Sequence, residues 1–220
     1  DLAKLNGVPA EQILLGDGSG EILKLCAVAF TSRDKKVVVA NPTFESIARH
    51  ASVANAEVVK IELTPDFRHD LDKMLAATGN ADLVYICNPN NPTASITPRT
   101  EISQFLSKVP RTTTVLVDEA YHHYVDSKDY ESVIPLVKDY PNLVVARTFS
   151  KIYGMAGLRC GYCITQQANI SAMKTHQVFD SVNIMALAAA TASLKDTEHV
   201  ARGRKLNSEV RKMVYDELDS

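Results

Sequence analysis

The sequence predicts an α/β protein with three layers, in which a mostly parallel sheet is covered by helices on both faces. Three observations lead to this class. Short apolar runs typical of strands alternate along the chain with longer segments typical of helices. The strand runs are continuously apolar, as expected of strands that are buried on both faces. The 220 residues, 45% of them hydrophobic and 23% charged, suffice for one large domain with its own core.

Six apolar runs are predicted to be the strands of this sheet. They are residues 36–40, 57–61, 82–87, 113–117, 143–146 and 159–164.

The segments around the strands are predicted to be helical. A glycine-rich turn at residues 16–21 opens a helix that runs to about Thr31. The backbone N–H groups at such a helix start can bind an anion, although Asp17 or Ser19 as an ordinary helix cap explains the turn as well. Residues 2–15 are predicted to be a short helical piece and a connector. The other predicted helices are 45–54, 70–77, 100–108, 131–137, 167–177, 183–194 and 198–218.

Composition excludes several classes of function. A net charge of -2 argues against a nucleic-acid partner, which would need a basic excess. No apolar run approaches the length of a membrane-spanning helix, so no membrane partner is expected. The four cysteines form no disulfide framework, which favours a reducing compartment, the cytoplasm. The chain begins at Asp1 without a methionine, so a processed start stays open although no secretory signal is visible.

No metal site is predicted. Cys160 and Cys163 form a CxxC pattern inside a predicted strand, where positions three apart point to opposite faces. No second cysteine pair or histidine partner stands at zinc-binding spacing. His122 and His123 are likewise expected to be structural or to lie beside a substrate rather than to bind a metal.

A single lysine, Lys151, follows the predicted strand 143–146 among hydroxyl and small side chains. Thr148 and Ser150 precede it. A lysine at the end of a buried strand is expected to be partly desolvated, which lowers its pKa and frees the amine to react with an aldehyde. Arg159 can bring a bidentate guanidinium to the same pocket, as a phosphate requires. The alternative is a surface lysine, with the arginine in an ordinary ion pair.

Three successive strands end in polar residues that suit a ligand site. Asn91 follows the first of them, Asp118 and Tyr121 the second, and Lys151 the third. Because ligands of such sheets bind beyond the carboxyl ends of the strands, these four side chains are expected at one edge. The glycine-rich turn and Arg159 could complete the site as an anion cradle.

Pyridoxal phosphate is a cofactor that needs this set of groups. Asp118 would keep the ring nitrogen protonated, and Asn91 and Tyr121 would donate hydrogen bonds to the ring oxygen. Phe44 could stack on the ring. Lys151 would hold the aldehyde and then carry a proton as general base and acid.

Four motifs carry a resemblance to a known family. They are 88–93 (NPNNPT), 117–121 (VDEAY), 148–151 (TFSK) and 157–161 (GLRCG). Together they resemble the fold-type I, pyridoxal-phosphate-dependent class I/II aminotransferases, most of all the histidinol-phosphate aminotransferase group. The resemblance covers essentially the whole chain.

The resemblance implies site residues, a fold and partners. The catalytic residues would be Lys151, Asp118 and Tyr121. The cofactor-binding residues would be Ser19, Gly20, Phe44, Asn91, Asp118, Tyr121, Thr148 or Ser150, Lys151 and Arg159. Residues 1–220 would form the large domain of the aspartate aminotransferase-like fold. The protein would be a homodimer with the active site at the interface, and it would take an amino donor and a 2-oxo acid acceptor.

The sequence also departs from the family pattern. Ala94 stands where the family usually has glycine, and Gly20 replaces an acidic residue beside Ser19. The family's N-terminal arm and its C-terminal small domain, with the arginine for the substrate carboxylate, are expected to be absent or incomplete here. Two alternatives therefore stay open: a decarboxylase of the threonine-phosphate type, and a non-catalytic sensor that binds the cofactor.

Overall fold

The computed structural model describes residues 1–219 and contains a seven-stranded sheet. Its strands are β1 (Ile13–Gly16), β2 (Lys36–Asn41), β3 (Glu57–Glu62), β4 (Ala81–Cys87), β5 (Thr114–Asp118), β6 (Leu143–Thr148) and β7 (Gly161–Ile164). Their order is β1-β7-β6-β5-β4-β2-β3. The five strands from β3 to β6 are parallel, whereas β7 runs antiparallel to both β6 and β1. The predicted α/β class with a mostly parallel sheet is confirmed.

Helices flank the sheet and connect its strands. They are α1 (Leu2–Asn6), α2 (Gly18–Phe30), α3 (Ser46–Val53), α4 (Leu71–Ala76), α5 (Arg99–Lys108), α6 (Gln167–Lys174), α7 (Ile184–Ser193) and α8 (Thr197–Leu218). Short 3₁₀ helices lie at Ala10–Gln12, Ala77–Asn80, His122–Tyr124, Ile134–Lys138 and Ala156–Leu158.

Side-chain caps begin three of the helices. Asp70 accepts a hydrogen bond from the backbone N–H of the third residue of α4, and Asn183 and Asp196 do the same for α7 and α8. Such caps satisfy one of the N–H groups that a helix start leaves unpaired. These polar residues therefore explain where α4, α7 and α8 begin.

The core consists of one apolar cluster on each face of the sheet. Leu23 of α2, Ile47 of α3 and Met173 of α6 belong to one cluster. Ile102 of α5 and Ala186 of α7 belong to the other. The two clusters account for the three layers, since each face of the sheet buries its own set of helices.

Three sequence expectations need correction. Residues 2–15 contain a strand, β1, which the sequence did not predict because four residues at a sheet edge carry little periodicity. The predicted helix 131–137 is instead the 3₁₀ helix Ile134–Lys138, which has a proline in its first turn. The strand predicted from residue 159 begins at Gly161, because Arg159 adopts a left-handed conformation with a φ of 62°.

The cysteines are all buried and free. The prediction that both Cys160 and Cys163 lie inside a strand is wrong for Cys160, which precedes β7. Cys160 nevertheless belongs to one core cluster and Cys163 to the other, so they lie on opposite faces of the sheet. Within residues 1–219, no group of three or more His, Cys, Asp or Glu side chains could hold a metal ion. No helix in the same range is long and apolar enough to cross a membrane.

Candidate active site

The carboxyl ends of β4, β5 and β6 meet at one edge of the sheet. Cys87, the last residue of β4, lies opposite Asp118, the last residue of β5, and Asp118 lies opposite Ala146 in β6. The polar residues that follow these strands therefore start from neighbouring points. This parallel register is the reason why three distant sequence motifs approach one another.

Asp118 is a buried carboxyl held by two neutral donors. Its side chain is 2% exposed. Its Oδ1 accepts from the backbone N–H of Ala120 at 3.1 Å, and its Oδ2 accepts from the hydroxyl of Tyr85 at 3.0 Å. Burial raises the pKa of Asp118 to about 6, although these two hydrogen bonds and the nearby charge of Lys151 oppose that rise. An ionised carboxylate here would gain from a cationic partner.

Asn91, Tyr121 and Lys151 lie together at the same edge. The side-chain amide of Asn91 donates to the Tyr121 hydroxyl at 3.4 Å, and the Lys151 Nζ lies 4.9 Å from the centroid of the Tyr121 ring. The expectation that Lys151 is partly desolvated is wrong, because its side chain is exposed. The reason is that β6 ends at Thr148, so that the lysine lies in the turn beyond the sheet.

Phe44 approaches the site through its backbone. Burial raises the pKa of the Cys87 thiol to about 12, and backbone hydrogen bonds from Asn91 and Phe44 oppose this rise. Both segments therefore flank Cys87, the residue opposite Asp118. The Phe44 ring is 42% exposed, so the structure leaves it free to pack against a ligand.

The start of α2 forms a cradle with Arg159. The Arg159 guanidinium donates to the backbone carbonyls of Asp17 and Ala156, each at 3.0 Å, and pairs with the Asp17 carboxylate at 3.3 Å. A Cβ atom on Gly18 would overlap this guanidinium, and Gly18 also has a φ of 71°. A Cβ atom on Gly161 would overlap the backbone N of Ser19. Glycine is therefore required at both positions.

The predicted phosphate residues lie near this cradle through the strand register. Thr148 lies opposite Gly161, and Gly161 packs against Ser19 in the first turn of α2, where Gly20 follows. Thr148 is buried, and its hydroxyl accepts from the backbone N–H of Ser150 at 3.0 Å. Of the two hydroxyl residues that the resemblance left open, half-buried Ser150 is the more accessible.

Sequence reasoning missed a buried ion pair behind the site. Glu119 is 1% exposed, and its Oε2 accepts from the Nε and Nη2 of Arg147 at 3.0 and 2.8 Å. Ser132 donates to the same oxygen at 2.8 Å. The pair joins the residue after β5, which ends at Asp118, to β6, which precedes Lys151. A charged residue inside the apolar run of β6 was the available indication.

The two histidines after Asp118 support the structural interpretation. Burial lowers the pKa of His122 well below its usual value and that of His123 to about 4. His122 Nδ1 lies 2.8 Å from the Glu119 carbonyl oxygen, and His123 Nε2 lies 3.3 Å from the Tyr153 hydroxyl. Both rings are therefore neutral and held within the protein.

A groove of about 760 Å³ adjoins Asn91 and Tyr121. Tyr124 and two residues of α8, Val210 and Arg211, also line it. The volume lies in the range of small-molecule sites.

Comparisons with known proteins agree with the sequence motifs. A family model described as "Aminotransferase class I and II" matches residues 1–220. A histidinol-phosphate aminotransferase of Moorella thermoacetica is 39% identical over 221 residues, which cover 100% of this chain and 57% of that protein. The chain thus spans little more than half the length of this curated relative.

Solved structures give the same result. A putative histidinol-phosphate aminotransferase from Erwinia carotovora atroseptica superimposes with a TM-score of 0.95 and 30% identity, covering 99% of this chain and 64% of that one. A Sinorhizobium meliloti histidinol-phosphate aminotransferase, solved in complex with pyridoxal-5'-phosphate, gives a TM-score of 0.84 and 30% identity, covering 92% and 55%.

Proposed function

This chain belongs to the class I and II aminotransferase family, and we propose that it serves a pyridoxal-phosphate-dependent aminotransferase of the histidinol-phosphate type. The reaction would move an amino group between an amino acid or amino-alcohol phosphate and a 2-oxo acid. The observation that carries this proposal is a buried carboxyl, Asp118, at the same sheet edge as Lys151 and the amide–phenol pair of Asn91 and Tyr121.

The residues present fit pyridoxal phosphate. Asp118 accepts hydrogen bonds from two neutral donors, the Tyr85 hydroxyl and the Ala120 N–H, and has a raised pKa. A protonated ring nitrogen would supply a cationic partner for its ionised form. The amide of Asn91 and the hydroxyl of Tyr121 are donors for a ring oxygen. The cradle at Gly18, with the N–H groups of α2 and the Arg159 guanidinium, suits a phosphate.

The proposed residues have distinct tasks in the reaction. When bound, the cofactor supplies an aldehyde that takes up the amino group and a ring that withdraws electrons from the substrate α-carbon. Asp118 would hold a proton on the ring nitrogen, and Tyr121 and Asn91 would donate to the ring oxygen. The Lys151 Nζ would hold the aldehyde, and as a free amine it would act as general base and acid.

Another group of residues would bind the cofactor without taking part in proton transfer. We assign the phosphate to Arg159, the hydroxyls of Ser150 and Thr148, and the backbone N–H groups of Ser19 and Gly20. Phe44 would stack on the ring face. The exposure of the Phe44 ring and the free N–H groups of the first turn of α2 support these assignments.

We further propose that residues 1–220 form the large domain of a cytoplasmic homodimer with its active site at the interface. The greater length of the Moorella relative supports a domain assignment, because other segments would bind the substrate carboxylate. Exposed Phe179, Ile184 and Met185 support a subunit interface. Four free thiols support a reducing compartment.

The test uses the intact protein loaded with pyridoxal phosphate. L-glutamate should bleach the visible band of the bound cofactor and release 2-oxoglutarate, and imidazole-acetol phosphate or another oxo acid should then restore the band. Release of carbon dioxide from an amino acid, without any amino form of the cofactor, would favour the decarboxylase. A band that binds but responds to no amino acid would favour the sensor.

A further inference from the structure

Tyr85 is a fully buried tyrosine whose hydroxyl contacts the Asp118 carboxyl. It lies on β4 opposite Leu116 of β5, and Asp118 is two residues further along β5 on the same face. An aromatic side chain can reach such a diagonal neighbour. The phenol donates to Asp118 Oδ2 at 3.0 Å. No local sequence pattern connects these two residues, because their contact depends on the strand register.

The two hydrogen bonds to Asp118 fix the plane of its carboxyl group. The backbone N–H of Ala120 holds Oδ1 from within the same chain segment, whereas Tyr85 holds Oδ2 from the neighbouring strand. A carboxylate that receives donors on both oxygens cannot rotate without breaking one of them. Tyr85 is thus the side chain that sets the orientation of Asp118.

Other titratable groups surround the carboxyl from each packed element. Lys151, after β6, lowers the pKa of Asp118, and adjacent Glu119 raises it. Cys87 on β4 and Cys26 on α2 are buried thiols whose pKa values the Asp118 charge raises further. The same charge contributes to the raised pKa of Tyr130, a weak effect compared with burial. Of these five neighbours, only Lys151 favours the ionised carboxylate. The hydrogen bond from Tyr85 is therefore a main source of its stabilisation.

We propose that Tyr85 is a positioning residue for Asp118, holding the carboxylate in the orientation that receives the ring nitrogen of the cofactor and limiting its basicity. The inference rests on the proposed function for its ligand. Under this proposal Tyr85 contacts neither the substrate nor the cofactor. The effect of Tyr85 on the ring would pass through Asp118.

The first test follows Asp118 itself in the ligand-free protein. Infrared spectroscopy detects the protonated carboxyl, and the band of Asp118 is identified by its absence from Asp118→Asn. In Tyr85→Phe the midpoint of this band should move up by about one pH unit, because a hydrogen bond to the charged form is lost. Tyr140→Phe is the matched control, since Tyr140 donates to the Ser103 carbonyl instead. An equal midpoint in wild type and Tyr85→Phe would overturn the proposal.

The second test separates positioning from general packing. Pyridoxal phosphate and an analogue with CH in place of the ring nitrogen are titrated into wild type and Tyr85→Phe. The substitution should change the affinity for pyridoxal phosphate severalfold and leave that for the analogue unchanged. Equal changes for both ligands would show a structural effect and overturn the proposal. If wild type binds no pyridoxal phosphate, the proposed function fails, whereas the infrared midpoints still decide the role of Tyr85.

Discussion

Replacing Asp118 by asparagine should stabilise the ligand-free protein at neutral pH while it weakens cofactor binding. Asp118 is fully buried, and its pKa of about 6 in the folded protein lies above the ordinary aspartate value of 3.8. The folded state therefore binds this proton more tightly than the unfolded state does. By linkage, proton binding to Asp118 stabilises the folded state fully below about pH 4, and this stabilisation is lost as the pH rises towards and through 6.

The magnitude follows from the two pKa values. Their difference of about two pH units corresponds to about 3 kcal/mol of unfolding free energy, which the ionised carboxylate costs above pH 6. Asparagine carries no charge, so it removes this penalty. It can still accept one of the two hydrogen bonds, and the Tyr85 hydroxyl can rotate to accept from its amide. A gain of about 2–3 kcal/mol is expected at pH 8.

Denaturant unfolding between pH 4 and pH 8 measures this effect. In wild type the free energy of unfolding should contain a decrease between pH 4 and 6 that is missing from Asp118→Asn. Asp129→Asn, which alters an exposed carboxyl, is the control for a change of net charge. Parallel pH profiles for wild type and Asp118→Asn would refute the reasoning. So would a loss of stability at pH 8 in the variant.

The remaining predictions concern two cationic site residues and the buried ion pair. Borohydride reduction with pyridoxal phosphate, followed by peptide mapping, should label Lys151, and labelling of another lysine alone would contradict that assignment. Arg159→Ala should weaken cofactor binding at least about tenfold in a titration, because the phosphate loses a charge-assisted donor. The control is Arg111→Ala, which removes another exposed arginine. An unchanged dissociation constant in Arg159→Ala would show that the phosphate binds elsewhere. Arg147→Met should lower the unfolding free energy by about 3–5 kcal/mol, since Glu119 is left buried without its guanidinium partner. Adding Glu119→Gln to that variant should recover part of the loss. A loss under about 1 kcal/mol in Arg147→Met would show that the ion pair does not stabilise the fold.

The fold was largely predictable because its central strands are continuous apolar runs. All six predicted strands occur, with bounds that shift by at most two residues at either end. The sequence missed β1, whose four residues resemble any short apolar piece, and could not supply the antiparallel direction of β7. The direction of β7 depends on the path of the chain from β6 through residues 149–160, where Arg159 adopts its left-handed conformation.

The candidate site was predictable only where local motifs define it. The motifs placed Asn91, Tyr121 and Lys151 after successive strands, and the structure brings these three together, while their roles stay predictions. The exposure of Lys151 depends on the path of the turn after Thr148, which no local pattern encodes. The contact of Tyr85 with Asp118 depends on which residues face each other across two strands.

The spacing between the two ends of the proposed cofactor site is set by the sheet rather than by loops. Asp118 lies opposite Ala146 in β6, and two residues further along β6, Thr148 lies opposite Gly161 of β7. The missing side chain of Gly161 lets the start of α2 approach at Ser19. Neighbouring strands lie about 4.8 Å apart, so the carboxyl and the anion cradle are separated by a fixed number of strand steps. A cofactor bound at both its ring nitrogen and its phosphate needs a fixed separation between the two binding groups. The loops beyond the strand ends can change, and with them the substrate specificity, without moving either binding group.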